Sequence, residues 1–145
     1  MKYIFFIHEN DKYWIEINDK KIAVRQIILS NNQYHISCFE DCLAEGKIIK
    51  SQIDAEIIEI SNKDFEIIWY SILEEHRSEW IRLKKKYTIN STIKGTFMYL
   101  YPQGAIFKNG RILINYKGKK EVKLHSELEM IIVGYDEKNM WLITE

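Results

Sequence analysis

Proline, glycine and cysteine are scarce in this sequence, which contains one proline, six glycines and two cysteines among 145 residues. No glycine-rich, serine-rich or low-complexity segment occurs, so any domain boundary must fall within regular structure. No apolar run approaches the roughly 18 residues that a membrane-spanning helix needs. The first residues join a short apolar run to an acid, Glu9, which predicts a first β-strand of a cytoplasmic protein rather than a signal peptide.

The two cysteines do not form a metal-binding pattern. Cys38 and Cys42 are four positions apart, and His35 lies nearby. A zinc site needs further cysteines or histidines at ligand spacing, and the other three histidines are scattered along the chain. We therefore expect two reduced thiols and no metal.

Catalytic motifs are also missing. The sequence has no phosphate-cradling glycine loop, no nucleophile elbow and no His-Glu-x-x-His zinc motif. One cluster of possible acid–base residues falls on a predicted amphipathic helix: Glu74, Glu75, His76 and Glu79. On such a helix, a histidine with neighbouring acids is typical of a surface or boundary position. The expectation is a non-enzymatic protein without a cofactor.

The net charge of zero conceals a strong asymmetry. Residues 84–145 carry 11 Lys and Arg against 6 Asp and Glu, a net charge of +5, whereas residues 1–83 carry 10 against 15, a net charge of −5. A basic half permits a nucleic-acid surface, and attraction between the two halves is the structural alternative.

The first half of the chain reads as β-rich. Alternating apolar residues are separated by polar turns, of which the segment from Glu9 to Lys12 is typical of a hairpin. One helical turn is expected at 40–46, ending at Gly46. The expected strands are 3–7, 13–17, 22–29, 33–39 and 55–60.

A long amphipathic helix is predicted over 62–85. Ser61 is a suitable N-cap, and Asp64 lies in the first turn, where the helix dipole favours a carboxylate. Apolar residues follow at i, i+3, i+4 and i+7 spacing and include Trp69 and Trp80, which we expect to pack the helix against a β surface. Cationic residues at 82–86 complement the negative end of the helix dipole.

The remaining residues predict five short strands. Asn109-Gly110 is a strong two-residue hairpin signal between the second and third of them. The expected strands are 92–101, 104–108, 111–116, 129–135 and 139–144. The sequence thus predicts a mostly β chain with one long helix: a β-rich N-terminal unit at 1–61, a connecting amphipathic helix at 62–86, and an OB-like barrel of five strands at 87–145.

The C-terminal segment resembles the S-one RNA-binding domain, an OB fold of ribosomal and RNA-processing proteins. The opening pattern of that family is a glycine, apolar residues at +2 and +5, and a second glycine followed by a small and two apolar or aromatic residues. The matching positions here are Gly95, Phe97, Leu100, Gly104, Ala105, Ile106 and Phe107. Residues 130–143 look like the closing hairpin of the family, and the resemblance covers about 60 residues.

The resemblance implies an RNA-binding barrel, with two departures. Where the family places base-stacking aromatic residues, this chain has Gln103 and Ile106. Other rings and cations of the segment could replace them, because aromatic side chains among cations suit a sequence-tolerant single-strand groove. The candidate nucleic-acid-binding residues are Lys94, Tyr99, Tyr101, Lys108, Arg111, Lys117, Lys119 and Lys120.

Two functions from different classes follow from these observations. The first is a cytoplasmic accessory protein that binds single-stranded RNA through the C-terminal barrel. The alternative is a protein-binding module, such as an immunity or antitoxin-like inhibitor of a toxin or nuclease, whose acidic first half mimics nucleic acid. Neither function involves a membrane.

Overall fold

The chain folds as a mostly β protein with two helices, in a computed structural model that describes residues 1–145 in full. It divides into two compact units, Met1–Glu75 and His76–Glu145. The mostly β prediction is therefore confirmed. In chain order the elements are β1 (Lys2–His8), β2 (Asp11–Ile17), β3 (Ala23–Ser30), β4 (Gln33–Ile36), β5 (Ile58–Ile60), α1 (Asn62–Glu74), α2 (Arg77–Lys86), β6 (Thr92–Tyr101), β7 (Gly104–Asn109), β8 (Ile112–Tyr116), β9 (Glu127–Asp136) and β10 (Trp141–Thr144).

The N-terminal unit is built on a five-stranded antiparallel sheet with the order β4-β3-β2-β1-β5. Ile15 pairs with Ile4 on one side and with Gln26 on the other, so these three side chains share one face. The segment after β4 packs against this face, since the Ala44 N–H donates to the Gln26 side chain at 2.8 Å. Residues 40–46 contain bends and irregular backbone but not the helical turn expected there.

The single long helix predicted over 62–85 is wrong, because two helices occupy this range. Helix α1 begins after Ser61, whose side chain accepts from the Asp64 N–H at 3.1 Å, as the sequence predicts. It ends at Glu74, and His76 leaves the helical conformation with φ −106° and ψ 2°. The apolar periodicity of the sequence continues across this break and therefore does not reveal it. Each helix packs within its own unit, and such tertiary packing can override local propensity. Neither helix is long and apolar enough to cross a membrane.

The C-terminal unit contains a closed five-stranded barrel with the order β10-β8-β7-β6-β9. All neighbouring strands are antiparallel except β10 and β8, which are parallel. Strand β6 is long enough to pair with β9 through its first half and with β7 through its second half. This arrangement is compatible with an OB-like fold.

Two glycines of β6 and β7 lie where a side chain would be crowded in the barrel. A Cβ on Gly95 would lie 3.0 Å from Ile114 Cδ1 and 3.2 Å from Met130 Cε, so Gly95 faces the barrel interior. Gly104 has φ +148°, and a Cβ there would lie 2.3 Å from Asn115 Oδ1. The glycine spacing noted in the sequence therefore reflects the construction of the barrel.

Candidate nucleic-acid interface

Lys94, Lys108 and Arg111 are grouped around the β7–β8 hairpin. Lys108 pairs with Thr96 across β6 and β7, and Lys94, two residues before Thr96, lies on the same face of β6. The Asn109 side chain donates to the Lys94 carbonyl oxygen at 2.8 Å and ties the hairpin to β6. None of the three cations forms an ion pair, which leaves them available to phosphate groups.

Strand β9 places carboxylates beside this group. Lys94 pairs with Glu129, and Thr96 pairs with Glu127, across β6 and β9. Both glutamates are exposed. Like charges repel phosphate, so these residues bound the basic surface on the β9 side.

The connection between β8 and β9 carries the second group of predicted cations, Lys117, Lys119 and Lys120. The Lys117 ammonium donates to the Gln103 carbonyl oxygen, and the Lys120 N–H donates to the Tyr116 hydroxyl at 3.1 Å. Lys119 and Lys120 are exposed, and neither ammonium has an ionic partner.

The far end of this connection lies against the middle of β6. The His125 N–H donates to the Phe97 carbonyl oxygen at 2.8 Å, and the Phe97 N–H donates to the Ser126 carbonyl oxygen at 3.0 Å. The connection is therefore tied to the β6–β7 turn at one end and to Phe97 at the other. It borders the second half of β6, where the aromatic residues lie.

The two predicted stacking residues differ in accessibility. Tyr99 is partly exposed, but Tyr101 has only 8% of its surface exposed and packs 6.1 Å from the Trp141 ring, centroid to centroid. A bulge between Phe97 and Tyr99 shifts the register of β6 against β7, so simple alternation from the start of the strand does not describe its end. Tyr101 consequently serves as a packing residue, whereas the Tyr99 side chain is partly exposed.

The outer face of β7 and β8 is largely covered. This face of an OB fold commonly contacts oligonucleotides. Here it includes Ile106, which is fully buried, and its partner Asn115, which is also buried. Leu113, the partner of Lys108, is buried as well. The accessible cations therefore lie at the hairpin and the connection rather than across the strands.

The turn between β9 and β10 is occupied by an ion pair with α2. Glu137 accepts from the Trp80 indole N–H and from the Lys84 ammonium, the latter at 2.5 Å. Burial alone would raise the pKa of Glu137, but these two hydrogen bonds outweigh it and lower the pKa. The Tyr135 hydroxyl donates to the Tyr87 carbonyl oxygen at 2.6 Å and adds a second tie. This turn, another common ligand contact in OB folds, holds α2 in place.

A buried arginine in the N-terminal unit escaped the sequence analysis. Arg25 is buried between Glu16 of β2 and Glu66 of α1, and its guanidinium lies 4.8 Å from the Phe65 ring centroid. Burial alone would lower the pKa of Arg25, but the hydrogen bonds with both glutamates raise it. The partners lie up to 41 positions apart, and the only sequence signal was an arginine among apolar residues of a predicted strand.

The two cysteines and the metal-ligating side chains are the remaining candidates. No group of three or more His, Cys, Asp or Glu side chains is arranged to hold a metal ion. Both cysteines are free, and Cys38 is buried. Burial raises the pKa of Cys42 to about 12, with further increases from the charges of Glu40 and Asp41. This thiol is therefore protonated at neutral pH.

Comparison with models of known protein families gives no match for this chain, and comparison with curated proteins gives none either. The function is therefore inferred from the barrel, the arrangement of its cations and the charges of the two units.

Proposed function

We propose that this chain is a non-enzymatic protein that binds single-stranded RNA through its C-terminal barrel. The observation that carries the proposal is a closed barrel with OB-compatible strand order on a strongly basic unit. The unit His76–Glu145 has 13 Lys and Arg against 7 Asp and Glu, a net charge of +6. OB folds commonly bind oligonucleotides, and a positive field attracts their phosphates.

The placement of the cations favours a single strand along the second half of β6. The hairpin group of Lys94, Lys108 and Arg111 lies near the start of this segment, and the connection between β8 and β9 borders it. Positive charge that follows a groove contacts successive phosphates without reading the sequence. We infer sequence-tolerant binding that falls as salt rises.

Tyr99 supplies the stacking platform in this proposal. Its ring is partly exposed and lies 4.9 Å from the buried ring of Tyr101, which supports it from one side. Base stacking on such a ring contributes about 1–3 kcal/mol. Lys119 and Lys120 lie on the connection whose far end is bonded to Phe97, two residues before Tyr99. Charge and stacking are thus assigned to different residues of one surface.

The test is a fluorescence-anisotropy titration of the full chain with labelled single-stranded RNA of mixed sequence. Tyr99→Ala should weaken binding by about 1–3 kcal/mol if stacking is lost, whereas Tyr99→Phe should keep the affinity because the ring remains. Absence of saturable binding below about 100 μM, the weak end of non-specific affinities, would overturn the proposal.

A matched charge control separates local contacts from net charge. Lys119→Ala with Lys120→Ala removes two cations from the connection between β8 and β9. Lys20→Ala with Lys63→Ala removes two exposed cations from the N-terminal unit. The first pair should weaken RNA binding and the second should leave it nearly unchanged. Equal weakening by both pairs would argue against a site on the barrel.

A further inference from the structure

The N-terminal sheet carries an exposed apolar patch that the proposed RNA surface does not use. Cross-strand pairing places its members in two adjacent rows on one face: Phe5 pairs with Trp14 and Ile58, and Leu29 pairs with Tyr34. Ile7 lies in the same row as Leu29, because both pair with Lys12. We call this set the apolar patch; it comprises Phe5, Ile7, Trp14, Leu29, Tyr34 and Ile58.

Helix α1 contacts the neighbouring row of the same face, at the other end of the sheet. Phe65 lies 5.4 Å from the Tyr3 ring, and Arg25 reaches Glu66, so α1 packs on the row of Tyr3, Glu16 and Arg25.

The patch itself remains open: Ile7 is 53% exposed, Tyr34 49% and Ile58 46%. Its rings pack against one another, since the Trp14 ring lies 5.1 Å from the Phe5 ring and 6.3 Å from the Tyr34 ring. A preorganised aromatic surface loses little conformational entropy on binding.

Carboxylates surround the end of the patch at which Ile7 lies. Glu9 lies in the turn between β1 and β2, and Asp11 is the first residue of β2, where it pairs with His8. The His8 ring donates to the Asp54 carbonyl oxygen at 3.3 Å, which brings the segment of Asp54 and Glu56 to the same end. Glu9 Oε1 lies 3.7 Å from His8 Nε2, and no Lys or Arg pairs with any of these four carboxylates.

The charge of the whole unit has the same sign as this rim. Met1–Glu75 contains 8 Lys and Arg against 14 Asp and Glu, a net charge of −6. Lys12, in the row of Ile7, is a cation within the patch itself. The four carboxylates at the rim outnumber it, so the formal charge around the patch is negative.

We propose that the apolar patch docks a basic protein surface that presents an aromatic or aliphatic side chain flanked by Lys or Arg. Apolar anchors at the centre of an interface supply most of the affinity, and complementary charges at the rim supply orientation and on-rate. Single-stranded nucleic acid is disfavoured here, because the carboxylates at the rim would repel its phosphates. The site is independent of the proposed RNA function.

The test is a selection of displayed random peptides on the full chain, followed by binding measurements on the enriched peptides. The site variant is Ile7→Ser with Tyr34→Ser, two exposed positions whose change should not unfold the sheet. The control variant is Ile67→Ser with Ile81→Ser, two exposed positions on the helices. Circular dichroism verifies that both variants are folded.

The expected result is enrichment of peptides that combine Lys or Arg with aromatic or aliphatic residues. Their affinity should fall by about tenfold or more in the site variant, as for loss of an interface hot spot, and stay unchanged in the control variant. Asp11→Asn with Asp54→Asn should also weaken these peptides and reduce their salt dependence.

Several outcomes would overturn the proposal. They are no enrichment, enriched peptides without basic residues, binding equal in the site and control variants, and displacement of the peptides from the patch by single-stranded RNA. Self-association of the chain that the site variant abolishes would identify a second copy as the occupant and would equally overturn it.

Discussion

Arg25 donates to both carboxylate oxygens of Glu16, from Nε at 2.7 Å and from Nη2 at 2.9 Å. Both side chains are buried. The same guanidinium donates to Glu66 of α1 at 2.5 Å and 3.1 Å, and the Tyr3 hydroxyl donates to Glu16 at 2.7 Å. One buried cation therefore joins β2, β3 and α1.

Removing this cation should strongly destabilise the N-terminal unit. Arg25→Ala leaves the Glu16 carboxylate buried without its ionic partner, and breaking a buried pair in this way costs about 3–5 kcal/mol. Chemical denaturation measures the loss. The exposed control Lys20→Ala should change the free energy of unfolding by no more than about 0.5 kcal/mol. A denaturation midpoint of Arg25→Ala equal to that of the unchanged chain would show that the network contributes little.

Gly104→Ala should destabilise the barrel. The substitution adds a Cβ at φ +148°, 2.3 Å from Asn115 Oδ1, and a non-glycine residue in such a conformation costs about 1–3 kcal/mol. Gly134→Ala is the control, because a Cβ there meets only ordinary contacts at 3.8 Å and 3.9 Å. Thermal unfolding of both variants compares the two sites. Equal losses of thermal stability in the two variants would show that position 104 does not require a glycine.

The barrel was predictable because its signals are local. The glycine spacing from Gly95 to Gly104 and the Asn109-Gly110 turn correspond to β6, β7 and β8 as observed. The face of β6 that Tyr101 occupies could not be predicted by alternation, since the bulge after Phe97 shifts the register in the middle of the strand.

Long-range relationships account for what the sequence did not reveal. The break at His76 interrupts an apolar pattern that continues from Leu73 to Trp80, and it coincides with the boundary between the two units. The Arg25 network joins residues distant in the chain, so neither spacing nor composition indicates it. The apolar patch arises from cross-strand pairing, and no single strand sequence indicates it.

The contact between α2 and the β9–β10 turn should weaken in acid. The folded pKa of Glu137 is lowered, so the carboxylate adds stability above its unfolded pKa of about 4.3 and loses it as pH falls below that value. The difference in unfolding free energy between the unchanged chain and Glu137→Gln should therefore shrink from about pH 7 to about pH 3. A difference that is constant over this range would contradict the assigned ion pair with Lys84.

Cys42 should react slowly in the folded chain. Its pKa of about 12 lowers the thiolate fraction at neutral pH on the order of a thousandfold relative to an ordinary thiol. Timed alkylation with peptide-resolved mass spectrometry measures Cys42 separately from the buried Cys38. In denaturant both thiols should react rapidly. Fast labelling of Cys42 in the native state would show that this thiol is neither buried nor shifted.

The salt dependence of RNA affinity tests the central claim most directly. Each phosphate contact on a single strand contributes a slope of about −0.7 to log affinity against log salt, so three or four contacts predict about −2 to −3. Lys119→Ala with Lys120→Ala should flatten this slope by about 1.4, whereas Tyr99→Ala should weaken binding and leave the slope nearly unchanged. A slope near zero, or one that the lysine substitutions do not alter, would contradict RNA binding through the barrel.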